Sequence, residues 1–310
     1  MNGYRDVRFA ITPDGRRLLL FNDKRLKFID FVSGETVHSL QLDSNEGRSV
    51  HSVAISADGH WAAMQGFSLT ALVDIGGKDP KAERSLSKPF GCGDIVAFSP
   101  DGRYFLAGGE KWTLQMYETA TGTPVRRFDP VDGGAAKQCE NVSAAFSPDG
   151  KLLATAVDSV ATVRLWDVST GSLAGTFEGP ADANIKQIAF APDGKTIAAV
   201  STAAFAVAIW NVTSGKIVMR DGLDSVGGGF SIAYSPDGLK LAVGARLIVR
   251  LWDIASGKLE LLRDFKASRY NANVNQVAFT PDGRWIVASV GDDLIPLPIR
   301  ASSAATAPSP

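Results

Sequence analysis

Short apolar segments separated by polar turns run along the whole chain. Ile95–Phe98 and Leu152–Ala156 are two examples, and their small and β-branched residues are typical of strands packed between neighbouring sheets. A third kind of segment, such as Leu26–Asp30, alternates like a strand and ends in an aliphatic or aromatic residue followed by an acid or amide. A fourth, such as Ser172–Phe177, follows a Ser/Thr-Gly turn. The pattern predicts repeated units of four antiparallel strands.

One turn punctuates these units seven times. It reads Pro-Asp-Gly or a close relative, in which Pro presets φ, Asp suits the next position and Gly accepts the left-handed conformation. Its aspartates are Asp14, Asp58, Asp101, Asp149, Asp193, Asp237 and Asp282. The spacings between neighbours are 44, 43, 48, 44, 44 and 45 residues, which is the length of a propeller blade. The sequence therefore predicts an all-β, seven-bladed β-propeller with four-stranded antiparallel blades.

Three repeats carry a motif that resembles the WD-repeat family. The motif is Trp166-Asp167, Trp252-Asp253 and the variant Trp210-Asn211, and its tryptophan follows the turn aspartate by 15 to 17 residues, as in FSPDGKLLA…VRLWD. The resemblance covers about residues 7 to 300. It implies a circular arrangement of blades that serves as a platform for protein complexes.

The repeats depart from the family pattern in two respects. The Gly-His pair that precedes the first strand in many members is missing, so the His-to-Asp network of the family cannot be transferred to this chain. The tryptophan position holds Ile29, Val73 and Tyr117 in the first three blades and Leu297 in the last. We expect stability to depend mainly on apolar packing between blades.

The C-terminal end predicts an incomplete last blade. Pro296 and Pro298 are two apart, so their missing N–H groups would lie on one side of a strand, which we expect to face solvent. Residues 301–310 read as a flexible Ser/Ala/Pro tail after a single propeller domain at 1–300. We therefore expect three strands in blade seven and closure of the ring by side-chain packing against blade one; pairing of residues 2–6 with 294–300 would refute this. The alternative is that the chain is a piece of a longer protein.

Composition narrows the class of partner. Charged residues make up 21% of the chain, the net charge is −1 and the pI is about 6.3, so neither nucleic acid nor an anionic membrane is an expected partner. No apolar stretch approaches the ~20 residues that span a bilayer, and MNGYRDVRFA is unlike a signal peptide. We expect a cytoplasmic, monomeric propeller.

The two faces of the predicted disc differ. The Pro-Asp-Gly and Ser/Thr-Gly turns fall on one face, which we call the constant face, and the other connections fall on the opposite, variable face, where binding is expected. The predicted partner-binding residues on its loops are Phe90, Trp112, Phe230, Tyr270, Arg48 and Arg269. The alternative for each aromatic is that it folds back and covers its own blade or the channel mouth.

No catalytic constellation is recognisable. The sequence contains no Gly-x-Ser-x-Gly elbow, His-Glu-x-x-His pair or phosphate-binding Gly-rich loop, and the turn aspartates are explained by their turns. The inner strands offer alanines, among them Ala54, Ala97 and Ala145, and predict a channel lined by small apolar side chains. Cys92 and Cys139 are interpreted as loop thiols without a bond between them. No cofactor or metal is expected.

Two functions from different classes agree with these observations. The first is a non-catalytic scaffold that binds protein or peptide partners through the variable face. The second is a sensor or regulatory propeller within a larger multidomain enzyme or signalling protein. A catalytic domain in the same polypeptide would favour the second.

Overall fold

A computed structural model gives the architecture of the chain. The structure describes residues 7–22, 25–41, 50–66, 70–77, 81–86, 96–109, 113–130, 142–158, 160–179, 184–202, 207–221, 229–257, 259–264, 273–291 and 293–299.

Twenty-seven strands in the described residues form seven separate sheets. Blade one contains β1 (Arg8–Ile11), β2 (Arg17–Asn22), β3 (Arg25–Asp30) and β4 (Thr36–Gln41). Blade two contains β5 (Val50–Ile55), β6 (Trp61–Gly66), β7 (Thr70–Asp74) and β8 (Lys81–Leu86). Blade three contains β9 (Val96–Phe98), β10 (Tyr104–Gly108), β11 (Leu114–Glu118) and β12 (Pro124–Phe128). Blade four contains β13 (Val142–Phe146), β14 (Leu152–Val157), β15 (Val160–Asp167) and β16 (Leu173–Glu178).

The remaining sheets complete the ring. Blade five contains β17 (Ile185–Phe190), β18 (Thr196–Ser201), β19 (Val207–Asn211) and β20 (Ile217–Asp221). Blade six contains β21 (Gly229–Tyr234), β22 (Lys240–Ala245), β23 (Ile248–Asp253) and β24 (Leu259–Asp264). Blade seven contains only β25 (Val274–Phe279), β26 (Trp285–Val290) and β27 (Asp293–Pro298). Every sheet is an antiparallel meander, so the predicted seven blades and the three-stranded last blade are confirmed.

The Pro-Asp-Gly segment forms the hairpin between the first two strands of each blade. In blade three, the Gly102 N–H donates to the Ser99 carbonyl at 2.8 Å, and Gly102 has a φ of 69°. The equivalent glycines of the other six blades also have positive φ. A Cβ is disfavoured in this left-handed region, which explains why the turn uses glycine.

The core lies between blades. The largest fully buried side chains include Trp210 and Trp252 of the WD-type positions, and Trp210 packs with Val163, Leu165 and Phe177 of the preceding blade. Residues that replace tryptophan pack in the same way. Val73 contacts a cluster from blade one, and Tyr117 stacks on Phe105 and packs with Leu72 of blade two. The position therefore serves contact with the preceding blade even where the tryptophan is absent.

The described contacts between blades seven and one are mostly side-chain contacts. Phe9 packs with Val287 in one buried cluster, and the ring of Phe31 meets the Trp285 ring edge-on at 6.4 Å. One backbone hydrogen bond, from Val7 N–H to the Gly291 carbonyl at 3.4 Å, accompanies them. The pairing test posed for residues 2–6 lies outside the described residues, as does the predicted tail at 301–310.

The outer edge of blade seven has few hydrogen-bond donors. Ile299 N–H donates to the Arg284 carbonyl, and Trp285 pairs with Pro298 in the same register. Since hydrogen-bonded and non-bonded pairs alternate in an antiparallel ladder, Leu294, Pro296 and Pro298 direct their backbone groups away from β26. Only Leu294 of these three has an N–H, so β27 cannot pair normally with a fourth strand.

The described residues contain no helix of the length and apolar character required to cross a bilayer.

Candidate functional site

The constant face is occupied by self-contained turns. In blade three, Asp101 Oδ1 accepts hydrogen bonds from the Ser99 hydroxyl at 2.6 Å and from the Arg103 N–H at 3.1 Å. The same arrangement recurs around Asp149 and Asp237. Hydrogen bonds from the serine hydroxyl and the backbone N–H hold the pKa of these carboxyls below its ordinary value. The aspartates therefore act within their turns, as the sequence predicted.

No metal-binding arrangement is formed where the structure is described. Among those residues, no group of three or more His, Cys, Asp or Glu side chains could hold an ion together.

A polar cavity occupies the centre of the ring at the variable face. Its volume is about 390 Å³, and every blade contributes to its wall through the start of its innermost strand. Each innermost strand begins after a connection on the variable face, so the cavity is the mouth of the central channel on that face. We call it the channel mouth. It is lined by Arg8, His51, Ser52, Val53, Val96, Val142, Ser143, Ala144, Lys186, Gln187, Phe230, Asn273, Asn275 and Gln276.

The predicted small apolar lining was wrong for this end of the channel. Ala54, Ala97 and Ala145 are half-buried and pack against hydrophobic clusters between blades. The neighbouring positions supply basic, amide and hydroxyl groups to the cavity instead. Strand alternation predicts which residues share a face, but the orientation of each blade decides which of them reaches the channel.

A set of side-chain hydrogen bonds connects the innermost strands of successive blades. The acceptor side chain belongs to the residue six positions before the turn aspartate of its blade. The donor is a backbone N–H of the next blade, five positions before the turn aspartate of that next blade. We call this set the inter-blade belt. Its acceptors and donors are Ser52 Oγ and Val96 N, Ser143 Oγ and Ile188 N, Gln187 Oε1 and Ile232 N, Ser231 Oγ and Val277 N, and Gln276 Oε1 and Phe9 N.

Arg8 occupies the belt position of blade one, but its side chain makes no described hydrogen bond to blade two. Its Nη1 instead donates to the Asn275 carbonyl of blade seven at 3.1 Å. Its Nε is buried and has no hydrogen-bond partner among the described residues. The guanidinium therefore lines the channel mouth, whereas Ser and Gln at this position in other blades reach the next strand.

Lys186 is the second fixed cation of the lining. It forms an ion pair with Asp158 from the hairpin of blade four, and the two side chains are only 24% and 19% exposed. Asp158 neutralises the charge of Lys186. The described wall of the channel mouth contains no carboxylate that could pair with Arg8.

Of the predicted partner-binding residues, only Phe230 lies in the described part of the chain. It is half-buried and stands in the wall of the channel mouth, at the start of β21. Phe90, Trp112, Tyr270, Arg48 and Arg269 lie outside the described residues, as do Cys92 and Cys139. Arg8, Lys186, Gln187 and Gln276 were not predicted as site residues, although a comparison of the repeats at the belt position singles out Arg8 from the sequence alone.

A second cavity of about 470 Å³ lies on the constant face where blades seven and one meet. Phe31, Val32, Trp285 and Pro296 form much of its wall. Among the described residues, blade seven has no fourth strand to cover the outer part of this junction.

The fold and the central cavity define a seven-bladed β-propeller with a polar channel mouth. Sequence comparison adds the family: the WD domain, G-beta repeat family matches residues 137–167 and 259–295. An uncharacterised WD repeat-containing protein of Synechocystis sp. is 28% identical over 160 residues, which are 50% of this chain and 42% of that protein. Together with the seven blades in the ring, these matches support a WD-repeat β-propeller.

A solved structure shares the fold over nearly its full length. Hydrazine synthase of Kuenenia stuttgartiensis superposes with a TM-score of 0.74 at 19% identity, covering 97% of each chain. At this identity the likeness concerns the fold alone. WD-repeat propellers generally mediate protein interactions and are typically non-catalytic. The match to the Synechocystis protein spans about two fifths of its length.

Proposed function

We propose that this chain is a non-catalytic protein-interaction scaffold of the cytoplasm, whose variable face binds protein or peptide partners. The proposal depends on the contrast between its two faces. On the constant face, the turn carboxyls are hydrogen-bonded within their own turns. On the variable face, a cavity of about 390 Å³ combines the half-buried Phe230 with cationic and amide groups.

The channel mouth has the mixture of groups expected at the centre of an interface. An aromatic and an arginine at the middle of a polar wall are residue types that contribute strongly to binding between proteins. Around it, Phe90, Trp112 and Tyr270 would supply further aromatic contacts, with Arg48 and Arg269 at the rim. Binding residues commonly lie on loops that a rigid scaffold carries, as the packed blades do here.

The experiment compares the two faces. The double variant Trp112→Ala/Tyr270→Ala removes two aromatics of the variable face, and Val32→Ala/Leu239→Ala removes apolar side chains that are 93% and 57% exposed and belong to the constant-face turns. Partners captured by the wild-type protein are identified by mass spectrometry, and the affinity of a purified partner is then measured for each variant.

We expect the variable-face variant to bind at least about tenfold more weakly, as for loss of a hot-spot residue, and the constant-face variant to bind like the wild type. Equal binding by all three proteins would contradict the proposal. So would weakening by the constant-face variant alone.

A second function is a sensor or regulatory propeller within a larger enzyme. One observation favours it: the Synechocystis match spans only 42% of that protein. The reading frame of the full gene distinguishes this function from the first, because it requires a catalytic domain in the same polypeptide.

A further inference from the structure

The seven repeats provide an internal comparison for Arg8. At the equivalent position, Ser52, Ser143, Gln187, Ser231 and Gln276 are neutral and bond to the next blade. In blade three the position holds Ile95, which lies outside the described residues. A serine or glutamine therefore satisfies the structural role of this position. Arginine there is longer, carries a charge, and turns back toward blade seven. The bond to the next blade, which is the role of this position elsewhere, therefore does not explain the arginine, whose one described hydrogen bond joins blade one to blade seven.

The hydrogen bond that Arg8 makes occupies one nitrogen of its guanidinium. Nη1 is held by the Asn275 carbonyl, while Nε has no partner among the described residues and no described group accepts from Nη2. Since Nε is buried, Nη2 is the nitrogen that can donate a charge-assisted hydrogen bond to an anion in the cavity.

Arg126 shows the contrasting case. Its Nε also lacks a partner, but Nη1 and Nη2 donate to the carbonyls of Thr170 and Ser169 at 2.5 Å and 2.6 Å. That guanidinium is used to connect blades three and four. In Arg8, only Nη1 makes a described hydrogen bond within the fold, and the residue lines the channel mouth.

The surroundings of Arg8 favour an anion. The described wall of the channel mouth contains Arg8, Lys186 and His51 and no carboxylate, and Asp158 compensates only Lys186. Asn273 adds an amide group to the same wall. A cation held partly out of water attracts an opposite charge more strongly than one in bulk solvent. The cavity volume of about 390 Å³ lies within the range of ligand sites in proteins.

We propose that the channel mouth binds a carboxylate group, with Arg8 as the residue that holds it through Nη2. The carboxylate comes either from an acidic side chain of a bound partner or from a small organic acid. The first source rests on the proposed function, since the partner would then lie across the variable face; the second does not.

The test uses the full chain at low salt and two probes. One probe is an end-blocked pentapeptide with a single glutamate between alanines and glycines, together with its glutamine twin. The other is glutarate. Binding is followed by titration with NMR detection for the wild type, Arg8→Gln, Arg8→Lys and Arg16→Gln. The last variant removes the same charge from the exposed constant face.

Arg8→Gln is the sharpest variant because it installs the residue that blades five and seven already use at this position. We therefore expect it to fold and unfold like the wild type but to bind the carboxylate probe about 10- to 100-fold more weakly. Arg8→Lys keeps the charge and loses the planar guanidinium, so we expect intermediate binding. Arg16→Gln should bind like the wild type.

Each outcome has a defined meaning. Binding of the glutamate peptide but not of glutarate assigns the site to partner side chains, and binding of glutarate assigns it to small acids. Binding of neither probe, equal binding of the glutamate and glutamine peptides, or unchanged affinity in Arg8→Gln overturns the proposal. A carboxylate site that persists in Trp112→Ala/Tyr270→Ala while partner capture is unaffected would refute the proposed function alone.

Discussion

Gln276 closes the ring by holding both backbone groups of Phe9. Its Oε1 accepts the Phe9 N–H at 3.2 Å, and its Nε2 donates to the Phe9 carbonyl at 2.8 Å. The two residues are 267 positions apart. In the other described belt contacts, a side chain bonds to the next blade along the chain, whereas here it joins the last blade to the first.

We predict that Gln276→Ala lowers the free energy of unfolding by about 1–3 kcal/mol, because two hydrogen bonds are lost and the Phe9 groups remain in a partly buried junction. Gln187→Ala is the matched control. It removes the same side chain at the same position, but its described bond is a single one to Ile232 N at 2.9 Å, between consecutive blades. Urea denaturation followed by circular dichroism measures both variants. A loss for Gln187→Ala equal to or larger than that for Gln276→Ala would contradict a special role in closure.

Gly229 permits close contact between blades five and six. A Cβ at this position would lie 2.0 Å from Cγ2 of Val200, so one of the two residues would have to move. We predict that Gly229→Ala destabilises the protein by about 1–3 kcal/mol, as expected for overpacking in a core. Thermal unfolding checks this.

Two variants test the cause. Gly175→Ala is also within a strand, but an added Cβ there meets nothing within 4 Å, so its midpoint should stay close to that of the wild type. Adding Val200→Ala to Gly229→Ala should recover part of the loss, because the two changes act on one contact. Strictly additive losses would show that the steric account is wrong.

The prolines of β27 protect the open edge of blade seven. Pro296→Val/Pro298→Thr restores two N–H groups that point away from β26, and an exposed edge with donors can pair with another chain. We predict concentration-dependent association of this variant, measured by light scattering coupled to size exclusion. Leu294→Val is the control, since it changes an edge side chain without adding a donor. Identical masses for all three proteins would refute the protective role.

Acid should weaken the constant-face turns. Hydrogen bonds from the Ser169 hydroxyl and then from the Thr170 N–H and hydroxyl lower the pKa of Asp167 to about 2, and Asp101 and Asp149 are shifted in the same direction. A carboxyl with a depressed folded-state pKa stabilises the fold above its unfolded value of 3.8, and this contribution is lost as the pH falls toward the folded value.

We therefore predict a thermal midpoint that is nearly constant from pH 7 to 5 and falls between about pH 4 and pH 2. Asp167→Asn has no carboxyl to protonate at this turn, so its midpoint should be lower at pH 6 and should fall less steeply on acidification. A wild-type midpoint that is unchanged down to pH 2.5 would contradict the prediction.

A comparison of the repeats predicts which residues occupy the belt positions, but not which contacts their side chains make. Sequence spacing places Arg8, Gln187 and Gln276 at equivalent positions, and it therefore shows that an arginine stands among three serines, two glutamines and one isoleucine. It does not show that Arg8 turns toward Asn275 or that Gln276 spans to Phe9. Those directions depend on the ring being closed.

The sequence by itself determined the count of blades, the turns and the three-stranded last blade. These features depend on residues within a few positions of each other: Pro-Asp-Gly bends the chain through its own dihedral preferences and the hydrogen bonds of the adjacent Ser or Thr. The tertiary structure alone decided which inner-strand residues line the channel mouth and how blade seven meets blade one. Such contacts join residues up to 267 positions apart, and their geometry is set by the orientation of whole blades, which no local pattern encodes.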